Sequence, residues 1–249
     1  MIPFRDRNPS GSIPVVTIGL ILVNVGVFLV ELGQGENLKG FIDNYGLTPT
    51  RIFAGVTGRA AERDGLAGPP PRHTIPAALT LFTSMFLHGG WMHLIGNMWY
   101  LWIFGDNVED RMGHFRYLVF YLLCGLGAGT AQLLSNPAAS LPTIGASGAV
   151  AGVLGAYLLA FPWARVQTLV FLFIFITVVE MPAMVLLGFW FLIQFFSGMG
   201  SLRMRHAGGV AWWAHVGGFL AGMLLMPLFS AAVGAEQPSR PRRTPPDDS

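Results

Sequence analysis

The 249-residue chain is 53% apolar and only 11% charged, against roughly 25% charged residues in a soluble domain, so its surface is made for lipid rather than water. A net charge of +2, with no basic cluster beyond Arg240, Arg242 and Arg243, gives no footing for a nucleic-acid partner. The one cysteine, Cys124, sits in an apolar run and excludes both an internal disulfide and a multi-cysteine metal site.

Residues 1–12 are polar and read as an N-terminal tail. The run from Ile13 to Val30 is the first predicted transmembrane helix. It is too long for the apolar core of a signal peptide, and no small-x-small cleavage site follows Glu31-Leu32-Gly33. Residues 33–78 then form a long first loop. Within it Phe41, Ile42, Tyr45, Leu47, Ile52 and Phe53 alternate with polar residues, as in amphipathic turns lying in the interface. Gly55 to Arg72 collects glycine, proline and arginine and reads as a flexible insertion.

The second span is expected from Trp91 to Val108, rich in the aromatic residues that membrane helices favour. A polar cluster of Asp106, Glu109, Asp110, Arg111 and His114 closes it. The third span runs from Phe115 to Leu134. An uncharged loop, Ser135 to Pro142, precedes the fourth, Ser147 to Phe161. Residues 168–198 are too long for one ordinary span and carry Glu180 and Pro182 in the middle. A charge at the bilayer centre is costly, so the stretch divides. Val166 to Val179 becomes an interfacial or hairpin-like piece, and the fifth span starts near Pro182. A seven-span reading would require two very short helices. The last span covers Val210 to Phe229. The membrane domain is thus expected over 13–232, with a disordered tail at 233–249.

Six spans put both termini on one side. Eight cations lie there (Arg5, Arg7, Arg111, Arg116, Arg165, Arg240, Arg242, Arg243) and seven on the other, five of those in the long first loop. Because residues far from span ends count for less, the bias favours cytoplasmic termini. With no transit-like start, the expected location is a bacterial plasma membrane.

Three polar features occupy places where a membrane helix does not ordinarily tolerate them. Ser147 stands in Gly145-Ala146-Ser147-Gly148, where the polar loop becomes the fourth span; helix capping is the plain explanation of a serine there. His93 and Asn97 are four residues apart on one face of the second span. His215 lies in the last span, and ionisable groups inside the membrane are functional by default. Gly148, Gly152 and Gly155 share a face of the fourth span, and His215, Gly218 and Gly222 share a face of the sixth. Small faces let two membrane helices approach closely, which would bring the serine to the histidine. A hydroxyl beside a neutral imidazole is an activated nucleophile. No acid is well placed to complete a triad, so the reading is a Ser147–His215 dyad. His93 and Asn97 would join the backbone N–H of Ser147 as donors to an oxyanion.

These residues resemble the motifs of the rhomboid intramembrane serine proteases. Gly145-Ala146-Ser147-Gly148 matches G-x-S-G. His88, His93 and Asn97 match H-x4-H-x3-N, Glu109-Asp110-Arg111 matches E-x-R, and His215 with Gly218 and Gly222 matches H-x2-G-x3-G. The match covers about residues 80–225 in the family's order. The resemblance implies an all-α, six-transmembrane-helix bundle that cleaves transmembrane protein substrates near the membrane border, with no cofactor and no metal. It implies Ser147 as nucleophile, His215 as base, and His93 and Asn97 at the oxyanion. Glu109 and Arg111 would have a structural role, as a solvated cap or a salt bridge, and His88 is as well explained by anchoring its loop as by catalysis. Two departures stand out. The Trp-Arg pair of the family's first loop is Leu79-Thr80 here. The aromatic that stacks on the histidine in some members, four residues after the serine, is Ala151, leaving His215 without an identified orienting group. A catalytically dead relative that binds transmembrane clients is the alternative, although such proteins typically lack the serine or the histidine.

Overall fold

The computed structural model describes residues 1–57, 73–172, 175–202 and 210–234. Most of the expected flexible insertion, and the tail from residue 235, lie outside the described residues. In chain order the elements are β1 (Ile2–Asp6), α1 (Val15–Leu32), α2 (Leu38–Tyr45), α3 (Pro49–Thr57), α4 (Thr80–Thr83), α5 (Trp91–Met112), α6 (His114–Ser135), α7 (Ser147–Ala160), β2 (Arg165–Leu172), β3 (Phe175–Pro182), α8 (Ala183–Ser201) and α9 (Trp212–Gly234).

Six of these helices, α1 and α5 to α9, form the membrane bundle. Four (α1, α6, α8 and α9) are both long and apolar enough to cross a bilayer. The 22 residues of α5 extend about 33 Å, and its charges are held back to the C-terminal end. At 14 residues α7 is short, and every residue from Gly148 to Tyr157 is buried by its neighbours. A helix covered on all sides has no polar face to present, which is why its sequence shows no amphipathic stripe. The outer helices instead expose apolar side chains, such as Leu22, Val23 and Leu29 on α1 and Val185, Phe189 and Phe196 on α8. In a water-soluble protein such a surface would be a liability; here it is the face toward lipid.

Helices α7 and α9 pack closely along their glycines. A Cβ built on Gly218 would fall inside the carbonyl oxygen of Gly148, and one on Gly222 inside that of Gly152. Only glycine permits backbones this near, so the contact fixes both the separation of the two helices and their register.

The connection between α7 and α8 is a β-hairpin. Arg165 pairs with Pro182 and Thr168 with Val179 in an antiparallel ladder. Its alternation of branched and aromatic residues fits a strand better than a helix. The first residues of the chain, expected to be only a polar tail, add a third strand: Ile2 pairs with Leu169 and Asp6 with Val166. The sheet order is β1-β2-β3. Pro3 cannot donate to a ladder, but its carbonyl accepts a hydrogen bond from Trp99 Nε1 at 2.6 Å. Glu180, too costly for a bilayer centre, sits on β3 with Arg7 at 2.5 Å and accepts from Gln167 Nε2 at 3.0 Å. Pro182 caps α8 rather than starting it.

In the first loop, Leu47 is buried and exchanges both backbone hydrogen bonds with Thr143, at 3.0 and 2.8 Å. This ties the loop to the segment that leads into α7.

Candidate active site

Ser147 is the first residue of α7, placed there by a backbone turn only glycine allows. Gly145 has φ +128°, its N–H donates to the Ser84 carbonyl at 2.9 Å, and a Cβ on it would lie 2.7 Å from His93 Nε2. An alanine at 145 would therefore be strained and would also displace the His93 ring. Being first in its helix, Ser147 keeps a backbone N–H with no partner inside the helix. Its Oγ donates to His215 Nε2 at 2.8 Å, a full hydrogen bond between helices α7 and α9. Serine and histidine are both half-buried, so they are shielded by the bundle yet open to an approaching chain.

His93 and Asn97 stand on successive turns of α5. The N–H of Gly89 donates to His93 Nδ1 at 3.2 Å. A neutral imidazole that accepts at one nitrogen carries its hydrogen on the other, so Nε2 is a donor, and it is the nitrogen that faces Gly145. Asn97 is buried, and its Nδ2 has no hydrogen-bond partner. A buried donor left unpaired is rare, and here it sits one turn from a second donor.

His88 is 2% exposed. Its backbone N–H is held by both carboxylate oxygens of Glu31, at 3.0 and 3.2 Å, and its ring lies 5.2 Å from that of His93. Burial above all, and then the neighbouring His93, push its imidazole down to about 4, so it is neutral at ordinary pH. No hydrogen bond joins it to Ser147 or His215, and its buried Nε2, like Asn97 Nδ2, has no hydrogen-bond partner.

Of the two expected roles, a solvated cap or a salt bridge, burial removes the first, and the ionisable partner of Glu109 is His114 rather than Arg111. Glu109 is fully buried and accepts from the backbone N–H groups of Val16 and Thr17, both at 2.8 Å, and from Thr17 Oγ1 at 2.7 Å. His114 Nδ1 lies 2.6 Å from Oε1, the oxygen that also accepts from Val16. The carboxylate satisfies the N-terminal donors of α1 from a distant helix. Arg111 is exposed and forms no ion pair with Glu109, because residues two apart on a helix point to opposite faces.

Gln194 on α8 was not singled out by the sequence reading. It is 7% exposed, and its Oε1 lies 2.7 Å from His215 Nδ1. One turn earlier, Trp190 places its ring 5.9 Å from the imidazole at an interplanar angle of 34°. A lone amide in the apolar run Phe189-Trp190-Phe191-Leu192-Ile193-Gln194-Phe195-Phe196 was the available signal. Among the described residues, no three histidine, cysteine or acidic side chains cluster as metal ligands.

The bundle and the residues at its centre define a membrane-embedded serine–histidine site on an all-α scaffold. A rhomboid-domain family model matches residues 76–232. The chain belongs to the rhomboid family, which includes intramembrane serine proteases. It is 33% identical over 225 residues to RHOMBOID-like protein 6, mitochondrial, of Arabidopsis thaliana, covering 84% of this chain and 67% of that protein. It is 34% identical over 145 residues to Rhomboid protease GluP of Bacillus subtilis (strain 168), covering 58% of this chain and 25% of the relative. To Rhomboid-like protein 11, chloroplastic, of Arabidopsis thaliana it is 40% identical over 81 residues, 32% of this chain and 29% of the relative. For two of these three, the chain spans less than a third of the relative's own length. The protein is an integral, multi-pass membrane protein. Family members named for mitochondria and chloroplasts mean that kinship does not carry the expected bacterial plasma membrane.

Proposed function

We propose that this chain is an intramembrane serine endopeptidase acting on transmembrane protein substrates. The observation that carries the reading is the 2.8 Å hydrogen bond from Ser147 Oγ to His215 Nε2 within the bundle. Ser147 Oγ attacks the carbonyl carbon of the scissile bond while its proton passes to His215 Nε2. Negative charge collects on the carbonyl oxygen, toward which His93 Nε2–H, Asn97 Nδ2 and the Ser147 N–H are available as donors. The imidazolium then protonates the leaving amine, and the C–N bond breaks to leave an ester on Ser147. Water, deprotonated by His215, attacks the ester; the proton returns to Ser147 Oγ as the acid product leaves.

A substrate helix hides its backbone in its own hydrogen bonds. Cleavage is therefore expected where that helix unwinds, beside a helix-breaking residue near the membrane border. Both termini are assigned to the cytoplasm, on the cation bias.

The test uses purified protein in detergent with a single-span reporter substrate. The parent should cleave, and Ser147→Ala and His215→Ala should not. Cleavage by either variant at the parent's rate would overturn the proposal. A relative that only binds clients would leave Ser147 unlabelled by a fluorophosphonate probe, whereas an activated serine reacts.

A further inference from the structure

We infer that Gln194 is a positioning residue that fixes the tautomer and orientation of His215 in the Ser147–His215 pair. The inference deepens the proteolytic reading above and rests on it.

The argument is one of hydrogen inventory. An amide oxygen has lone pairs and no hydrogen, so Gln194 Oε1, 2.7 Å from His215 Nδ1, can only accept. The hydrogen of the neutral imidazole is then on Nδ1. Nε2 is left with its lone pair directed at Ser147 Oγ, 2.8 Å away. With the other tautomer, Nε2 would present a hydrogen to the serine and could not take its proton. Gln194 therefore selects the tautomer in which His215 is a base.

The same contact serves the next step. When His215 accepts the serine proton it becomes a cation in a half-buried site, and its Nδ1–H then donates to the Gln194 oxygen as a charge-assisted bond. A neutral acceptor stabilises that cation less than a carboxylate would, but adds no buried negative charge to the resting bundle.

Geometry holds the amide in place. Gln194 is 7% exposed, and Trp190, one turn earlier on α8, lies along the imidazole at 5.9 Å. Trp212 meets the ring edge-on at 6.3 Å. Together they fill the orienting role left open by Ala151, which is fully buried and too small to reach the imidazole. Orientation thus comes from α8 and from Trp212 at the start of α9, rather than from the helix that carries the serine.

The test compares the full-length parent, Gln194→Met, Gln194→Glu and Ser147→Ala in detergent, measuring kcat and KM on the reporter substrate and thermal unfolding of each. Met keeps the length and removes the acceptor; Glu restores an acceptor. The expected result for Gln194→Met is a fall in kcat of roughly 10- to 100-fold, the scale of a lost hydrogen bond to a charged group, with KM within about two-fold of the parent. Gln194→Glu should recover kcat to within about five-fold of the parent. An active parent with an unaffected Met variant overturns the assignment alone. So does a folded Glu variant as slow as the Met variant, since a packing role would not distinguish acceptor from non-acceptor. If the Met variant does not fold, the Glu variant still decides. A parent that neither cleaves nor reacts with a fluorophosphonate brings down the proteolytic reading, and this assignment with it.

Discussion

Replacing Gly218 by alanine tests whether the glycine seam sets the catalytic geometry. Gly218 lies three residues after His215, and Gly148, whose carbonyl it faces, follows Ser147 directly. A Cβ at 218 would overlap that carbonyl oxygen and would also lie 3.3 Å from Ala128 Cβ. An unstrained carbon–oxygen contact needs about 3.4 Å, so α9 must retreat from α7 by roughly 1.5 Å. That displacement would take the Ser147–His215 hydrogen bond from 2.8 Å to a separation of about 4.3 Å, beyond bonding range. Overpacking of this kind costs about 1–3 kcal/mol, or roughly 2–10 °C in thermal midpoint. Misplacement by an ångström costs about 100-fold in rate. Circular dichroism melts in detergent and cleavage of the reporter substrate measure both. Gly26→Ala is the control, because a Cβ there meets nothing within 4 Å. Parental rate and midpoint in Gly218→Ala would refute the reasoning.

Four further substitutions probe the rest of the frame. Asn97→Ala should lower kcat about 100-fold with the thermal midpoint unchanged, since its Nδ2 makes no hydrogen bond that folding would lose; a large drop in midpoint would instead mark it as structural. Glu109→Ala deprives Val16, Thr17 and His114 of their acceptor and should cost about 2–5 kcal/mol, whereas Arg111→Ala should melt with the parent. Asp6, in the sheet outside the spans, has its carboxyl raised to about 6, by burial first and then by the charge of Asp106, against the lowering effect of the Tyr157 hydroxyl. Its folded value lies above its unfolded one, so the folded state holds the extra proton and stability falls as pH rises between about 4 and 6. Asp6→Asn should flatten that slope in pH-dependent melts; a slope identical to the parent's would show that other groups carry it.

What could be read from sequence followed the range of the signal. Apolar runs are local, and α1, α6, α8 and α9 lie where continuous hydropathy put spans. The Val166 to Val179 segment announced itself by β-branched and aromatic residues, and the cost of a buried Glu180 ruled it out as a span. Strand β1 was not legible: Ile-Pro-Phe-Arg-Asp has no alternation of its own, and its partner strand begins at Arg165. Glu109 read as a surface acid because the donors it serves, Val16 and Thr17, are more than 90 residues away in sequence. Gln194 carried a visible signal, one amide among aromatic and aliphatic neighbours. Its meaning depended on knowing that α8 packs beside His215.

The three-stranded sheet imposes an order on assembly. Ile2 finds Leu169 only after the intervening chain has been made, which at ribosomal rates of 5–20 residues per second takes about 10–30 s. Throughout that interval the first strand has no ladder partner and Asp6 lacks the Tyr157 hydroxyl that binds it at 2.6 Å. Closure of the sheet is therefore among the later events of biogenesis, available only once α7 and the hairpin have been synthesised. A fusion at the amino terminus that blocks this strand would leave the spans inserted but the bundle unlatched on that side.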